Sequence, residues 1–214
     1  MKKTALGALA LAGTLFVQLA GAIPSTASDR PVITKTVTKG EGMTSEFERT
    51  DGCLHTRVSV FGSVFTVTGS TTPDNVGFVS VTQEDTCTGT TLINGFGDAE
   101  TLNLSVPNGL SKGRLRMSME FTNYADPENP VVSPMTADVF FRATASATKT
   151  FTESKSRFEG VRFVASQGTR SRPATVAGTV TLGAQKILTP NVPSYSATIA
   201  SVVSKEKTVN RPVK

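Results

Sequence analysis

Apolar residues recur at every second position through most of this chain, and that rhythm restricts it to extended strands with one buried face. The clearest run is Leu115, Met117, Met119 and Phe121, set against Arg116, Ser118 and Glu120. Successive side chains of a strand point to opposite faces, so a period of two describes a half-buried antiparallel strand. Leu54, Thr56, Val58 and Val60 alternate in the same way with His55, Arg57 and Ser59, and Leu102, Leu104 and Val106 with Thr101, Asn103 and Ser105. Val139, Phe141, Ala143 and Ala145 repeat the pattern. So do Val176, Gly178, Val180 and Leu182, and then Tyr195, Ala197 and Ile199. No segment after residue 27 keeps helical spacing for three turns, and no solenoid or propeller period appears.

The punctuation agrees with the rhythm. Pro107-Asn108-Gly109 carries an Asn-Gly pair suited to a tight turn, so residues 101–106 and 114–122 are expected to form a hairpin. Pro73-Asp74-Asn75, Asp126 to Pro130 and Gly168 to Pro173 read as loops, and Gly160 as a bulge. About ten short strands at this spacing predict an all-β, antiparallel β-sandwich. Alternating strands also build membrane barrels, but those wear aromatic girdles. This chain has no Trp and two Tyr, and it closes on the polar run Lys205 to Lys214, so the barrel is set aside.

The first 27 residues have another character. Lys2 and Lys3 precede an apolar run from Ala5 to Ala22, broken by Gly7, Gly13 and Gln18. Ala20-Gly21-Ala22 and Ser25-Thr26-Ala27 both fit signal-peptidase sites, so a signal peptide cleaved after Ala22 or Ala27 is expected. The run is slightly short for a retained span, which needs roughly 20 predominantly apolar residues. No second apolar stretch follows, and no transmembrane span is expected in the mature protein. Residues 28–49 read as a polar lead-in or an edge strand with Met43 and Phe47 turned inward. Residues 50–204 read as the sandwich domain and 205–214 as a polar tail. Removing the leader leaves 214 − 27 = 187 residues, enough for one domain with its own core.

The leader also inflates the charge. Without Lys2 and Lys3 the balance is 20 − 17 = +3, a mild cationic bias that does not point to nucleic acid. Cys53 and Cys87 are the only cysteines, and an even pair in an oxidising compartment predicts a disulfide. A thiol or metal site is the weaker reading, since neither has a Cys-x-x-Cys partner.

Several motifs point beyond composition. They are Gly52-Cys53, Val79-Ser80-Val81 leading to Asp85-Thr86-Cys87, the run Ser171-Arg172-Pro173-Ala174-Thr175-Val176-Ala177-Gly178-Thr179-Val180, then Pro190, Pro193-Ser194 and Ile199 to Lys205. Together they resemble a group of uncharacterised exported bacterial β-rich proteins that carry signal peptides. The resemblance spans most of residues 51–208 and implies a secreted β-fold. It brings no activity, substrate or site residue with it.

Candidate chemistry is sparse. His55 is the sole histidine, so any imidazole proton shuttle must use it. No Gly-x-Ser-x-Gly elbow frames a nucleophile, and His55 falls on the polar side of its strand. Glu84, Asp85, Asp98, Glu100, Glu120 and Asp138 are the carboxylates available for glycoside hydrolysis, yet acids at such positions are ordinarily solvated. Glu84, Asp85 and Asp98 are also the candidate calcium ligands, without an Asp-x-Asp-x-Asp-Gly loop to support them. The one charge pattern with shape is Arg157, Arg162, Arg170 and Arg172, with Lys155 nearby. Arg170 and Arg172 are the candidate anion-binding pair, two guanidinium forks offered to one anion. No aromatic residue interleaves with them in sequence, which argues against stacking on single-stranded nucleic acid.

The reading is a secreted, non-catalytic β-sandwich that acts as a binding or structural component of the cell envelope or as a released factor. No cofactor is implied. An anionic envelope or extracellular polymer is the candidate partner. The alternatives are a secreted hydrolase whose site assembles only in three dimensions, and a surface-assembly subunit donating residues 28–45 as a strand. The alternation itself generates a test. Met117→Asp should abolish folding by burying an unpaired charge, and a normal circular dichroism melt of that variant would show the face was misassigned.

Overall fold

Among the described residues, eleven strands and no helix arise from these runs. The computed structural model describes residues 32–210 except 108, 159 and 191. The leader expected over 1–27 and its cleavage sites lie outside the described residues. The strands are β1 (Val32–Asp51), β2 (Leu54–Val67), β3 (Asp74–Asp85), β4 (Thr90–Asp98), β5 (Thr101–Ser105), β6 (Lys112–Asn123), β7 (Val131–Ala143), β8 (Thr148–Phe158), β9 (Val161–Leu182), β10 (Gln185–Leu188) and β11 (Ser194–Asn210). All the pairings are antiparallel.

The architecture is the all-β, antiparallel packing that alternation predicts, with barrel-like closure. Hydrogen-bonded neighbours run β9-β11-β1-β2-β3-β4-β6, and β7 then joins β6 back to β9. β9 makes this circuit possible by serving two neighbourhoods. Its first part, Val161–Pro173, pairs with β11, and its second, Ala174–Leu182, pairs with β7. Pro173 sits at the switch. Pairing with β8 ends at Ser171 and pairing with β7 begins at Ala174, so a residue without an N–H costs little there.

One apolar core fills the space between the layers. Met43, Val58, Val60, Val79, Val81, Leu115, Met117, Met119, Phe121, Met135, Val139, Phe141, Val180 and Ile199 are all buried. The layers approach closely through glycine. A Cβ on Gly62 of β2 would overlap Leu115 of β6, and one on Gly113 of β6 would overlap Met43 of β1. Outward positions on β6 are Arg114, Arg116 and Glu120, all exposed, the reverse of a lipid-facing pattern.

Several local expectations are corrected. Residues 28–49 are expected as a lead-in or an edge; Val32 onward is instead strand paired with β11, an edge at its start, and from Thr38 it is paired on its other side with β2 as well. Met43 and Phe47 do turn inward, at 1% and 2% exposure. The tail is likewise paired as far as Asn210. Gly168 to Pro173 is strand and not loop, because β8 and β11 flank it. Gly160 belongs to the β8–β9 hairpin connection and has φ +82°, so it is a turn glycine and not a bulge.

The β5–β6 hairpin forms as expected, with Ser105 opposite Arg114. Its connection is longer than a two-residue turn: the Leu110 N–H bonds the Pro107 carbonyl. Leu110 takes φ +57° and is 3% exposed, so burial of its side chain offsets an unfavourable backbone state. Tyr195 escapes its alternation partners Ala197 and Ile199 and is 77% exposed. A register shift between Glu46 and Phe47 sets Ser194 opposite Phe47, which throws Tyr195 outward.

Cys53 and Cys87 form a disulfide with Cα atoms 5.4 Å apart, tying the β1–β2 turn to the β3–β4 connection. The bridge closes a separation of 34 residues. Cys53→Ala should cost about 3–4 kcal/mol on the chain-entropy estimate. Chemical denaturation with and without reductant measures it, and coincident curves would show that the bridge contributes nothing.

Candidate anion-binding face

The three longest strands outrun the core. β1 has 20 residues, β9 has 22 and β11 has 17. Beyond the last rung of buried apolar side chains, Met43 opposite Ile199, they continue with β8 as a four-stranded arm in the order β8, β9, β11, β1. Within this arm, at residues 32–39 of β1, 201–210 of β11, 161–172 of β9 and throughout β8, no residue is fully buried. The arm is one layer, wet on both faces.

Cross-strand partners share a face, so the register assigns each side chain. The face continuous with the core interior carries, rung by rung from β1 to β8, Glu41-Ser201-Arg170-Lys149, Lys39-Val203-Gly168-Phe151, Val37-Lys205-Ser166-Glu153, Lys35-Lys207-Val164-Lys155 and Ile33-Val209-Arg162-Arg157. Nine cations therefore stand on this face against two carboxylates, Glu41 and Glu153. The reverse face is made of Thr34, Thr36, Thr38, Thr208, Ser204, Gln167, Thr169, Thr150, Thr152, Ser154 and neighbours, with Glu206 its single charge. Five rungs at about 6.8 Å and three strand gaps at about 4.8 Å give the basic face dimensions of roughly 27 by 14 Å.

Arg170 and Arg172, the anion-binding pair from sequence, do share this face, as alternate residues of a strand. Their roles differ. Arg172 is held at the base of the arm, where its Nε donates to the Ala145 carbonyl at 2.7 Å and its Nη1 to the Gly109 carbonyl at 3.2 Å. Arg170 is exposed and lines a shallow depression of about 370 Å³ with Lys149, Phe151, Gly168, Ser201 and Val203. Gly168 makes the dip, since a Cβ there would meet nothing within 4 Å. Phe151, 68% exposed, stands directly opposite Gly168. Sequence order kept this aromatic apart from the arginines, and strand pairing brings it beside them. Arg157 and Arg162 face each other at the far end, and Lys155 pairs with Glu153 on its own strand.

The hydrolytic candidates are not assembled. His55 Nε2 lies 2.8 Å from Glu48 Oε1, with Arg57 at 3.5 Å from the same oxygen. Hydrogen bonding from His55 is the main cause holding the Glu48 carboxyl below its usual range. Glu48 is the hydrogen-bond partner His55 has among the described residues, and no hydroxyl joins the pair. Glu48, Arg49 and Thr50 line a second open depression with Thr189, Val192 and Pro193, but Arg49 is engaged by Asp51. None of Glu84, Asp85, Asp98, Glu100, Glu120 or Asp138 lines either depression.

The calcium set is scattered as well. Asp98 pairs with Phe78, seven residues along β3 from Asp85, or roughly 23 Å at the strand rise. Asp85 instead accepts the Cys87 and Thr88 N–H groups, shaping the turn. Cys53, Asp85 and Cys87 converge, but their sulfurs are consumed by the bridge. Among the described residues no helix is long and apolar enough to cross a membrane. Comparisons with protein-family models, with curated proteins and with solved structures found no match.

Asp138 is claimed by two arginines of the facing strand. Arg114 binds it in bidentate fashion at 2.9 and 2.7 Å, and Arg116 approaches to 3.4 Å. The Arg114 hydrogen bonds lower its pKa. A depressed carboxyl stabilises the fold above its unfolded pKa and loses that contribution as pH falls through the folded value. The pair is nearly half exposed, so Asp138→Asn should cost at most about 1 kcal/mol at pH 7. The gap between variant and wild type should narrow as pH falls below the ordinary aspartate range, and a gap that stays constant through acid denaturation would contradict the ion-pair origin.

Proposed function

We propose that the protein is a non-catalytic binding component working outside the cytoplasm, and that it holds an anionic envelope or extracellular polymer on the basic face of its arm. The observation that supports this is the concentration of nine Lys and Arg on one open sheet face, while the opposite face carries a single charge. Cations spread for solubility would be divided between both faces. Side chains ordered at rung spacing along roughly 27 Å suit a ligand that repeats its charge, and a flat sheet suits a chain better than a small molecule.

The signal-peptide pattern of residues 1–27 supports export, and the Cys53–Cys87 bridge is consistent with an oxidising compartment. A hydrolase would need ionisable groups converging in a concavity. The two open depressions, one with Glu48 bound to His55 and one flanked by Lys149 and Arg170, favour binding over bond cleavage. Donation of residues 28–45 to a neighbour would require stripping Val32 to Ser45 from β11 and Thr38 to Ser45 from β2.

Binding of the protein without residues 1–27 to dextran sulfate, a sulfated glycan probe, tests the reading. Affinity should fall steeply with salt, because exposed charge contacts are screened over about 10 Å at 0.1 M. Lys149→Glu/Arg170→Glu should weaken binding at least about tenfold, equivalent to ~1.4 kcal/mol. Thr152→Glu/Gln167→Glu, on the reverse face and outside the depression, should weaken it far less. No retention at low salt, equal losses from the two pairs, or tighter binding to oligothymidine than to the glycan would overturn the proposal.

A further inference from the structure

The arm ends in an open edge. Among the described residues β8 pairs with β9 alone, and all of its residues from Thr148 to Phe158 are exposed. Phe158 and Val161 flank a two-residue hairpin connection, which makes them a hydrogen-bonded pair. Antiparallel pairs alternate, so the even-numbered residues of β8 bond β9. The odd-numbered ones, Lys149 to Arg157, therefore aim their N–H and C=O groups at the edge. Ordinarily an edge of this length is guarded, and lysines are the usual guard. Here the guard is matched: Glu153 lies between Lys149 and Lys155, and Phe151 stands uncovered beside it at 68% exposure.

We infer that β8 pairs with β8 of a second copy of this chain, antiparallel about a two-fold axis at Ser154. This register places Glu153 opposite Lys155 and Lys155 opposite Glu153. The Lys155–Glu153 ion pair already present along the strand then closes, with its symmetry mate, into a square of alternating charges. Arg157 falls opposite Phe151 on each side, where a guanidinium can lie on the ring. On the other face Thr152 meets Ser156 and Ser154 meets Ser154, hydroxyl pairs favourable across strands.

The fully overlapped register would set Glu153 against Glu153 and Lys149 against Arg157, and like charges directly opposite disfavour it. Paired residues share a face, so the two basic faces join into one continuous sheet. Net repulsion between the arms and a seam of one strand each make the dimer weak, below the standard interface class. A bound polyanion would neutralise that repulsion and be gripped twice.

The experiment uses cysteine crosslinking under mild oxidant without any polymer, so its outcome is independent of the anion-binding reading. Ser154→Cys should form a covalent dimer, because a non-hydrogen-bonded pair holds its Cα atoms about 4.5 Å apart, within disulfide range. Thr150→Cys should not, because the two copies of residue 150 would lie about 27 Å apart along the seam. Analytical ultracentrifugation gives the second arm. Glu153→Lys should abolish self-association, and Glu153→Lys/Lys155→Glu should restore it at unchanged net charge. Equal crosslinking at 150 and 154, or a double variant no better than the single, would overturn the inference.

Discussion

Everything in this structure depends on one-sided burial along strands that are longer than the core they serve. Inside the core the shared face of β1, β9 and β11 is occupied by Met43, Val176, Val180 and Ile199, packed against the opposing layer. Beyond that rung no second layer remains among the described residues, and the same face meets water. Continuing apolar there would leave a large exposed patch of the kind that marks association or aggregation. The chain instead switches to Lys and Arg on that face and keeps Thr and Ser on the other. The arm is thus the core's own pleat carried into solvent with its chemistry inverted.

The inversion links fold to function. A single-layer sheet has no packing to stabilise it apart from its ladder and its attachment to the core. Its length therefore calls for a use that a shorter strand would not serve. Strand pairing gathers cations from four separate sequence segments: Lys35 and Lys39, Lys205 and Lys207, Arg162 and Arg170, and Lys149 with Lys155 and Arg157. None of these segments is strongly basic on its own. Their repulsion is tolerated because the face is exposed and screened, and it is relieved by any ligand that brings negative charge.

The core was legible in the sequence because burial imposes period two. Leu115 to Phe121, Val58, Val60, Val139 and Phe141 all point inward as the alternation predicts. The bridge was legible because only two cysteines exist. The candidate site was legible only in part. Arg170 and Arg172 stand out, but Gly168, Ser171 and Pro173 carry turn chemistry that predicts a loop, which flanking strands β8 and β11 override. Lys35, Lys39, Lys205 and Lys207 were missed because a face shared by non-neighbouring strands depends on register, which local pattern does not encode. The alternation of Lys35, Val37 and Lys39 against Thr34, Thr36 and Thr38, echoed by Lys149, Phe151 and Glu153 against Thr148, Thr150 and Thr152, was the available signal. Tyr195 was misplaced for a related reason, since one register shift reverses the facing of a whole segment.

Lysine acetylation footprinting with mass spectrometry tests most directly whether these strands carry one cationic face. Lys35, Lys39, Lys149, Lys155, Lys205 and Lys207 should all label readily in the free protein. They should lose reactivity together when dextran sulfate is added, while Lys112 and Lys186, outside the arm, stay unchanged. Protection scattered across all of these named lysines, or confined to one strand, would contradict the shared face.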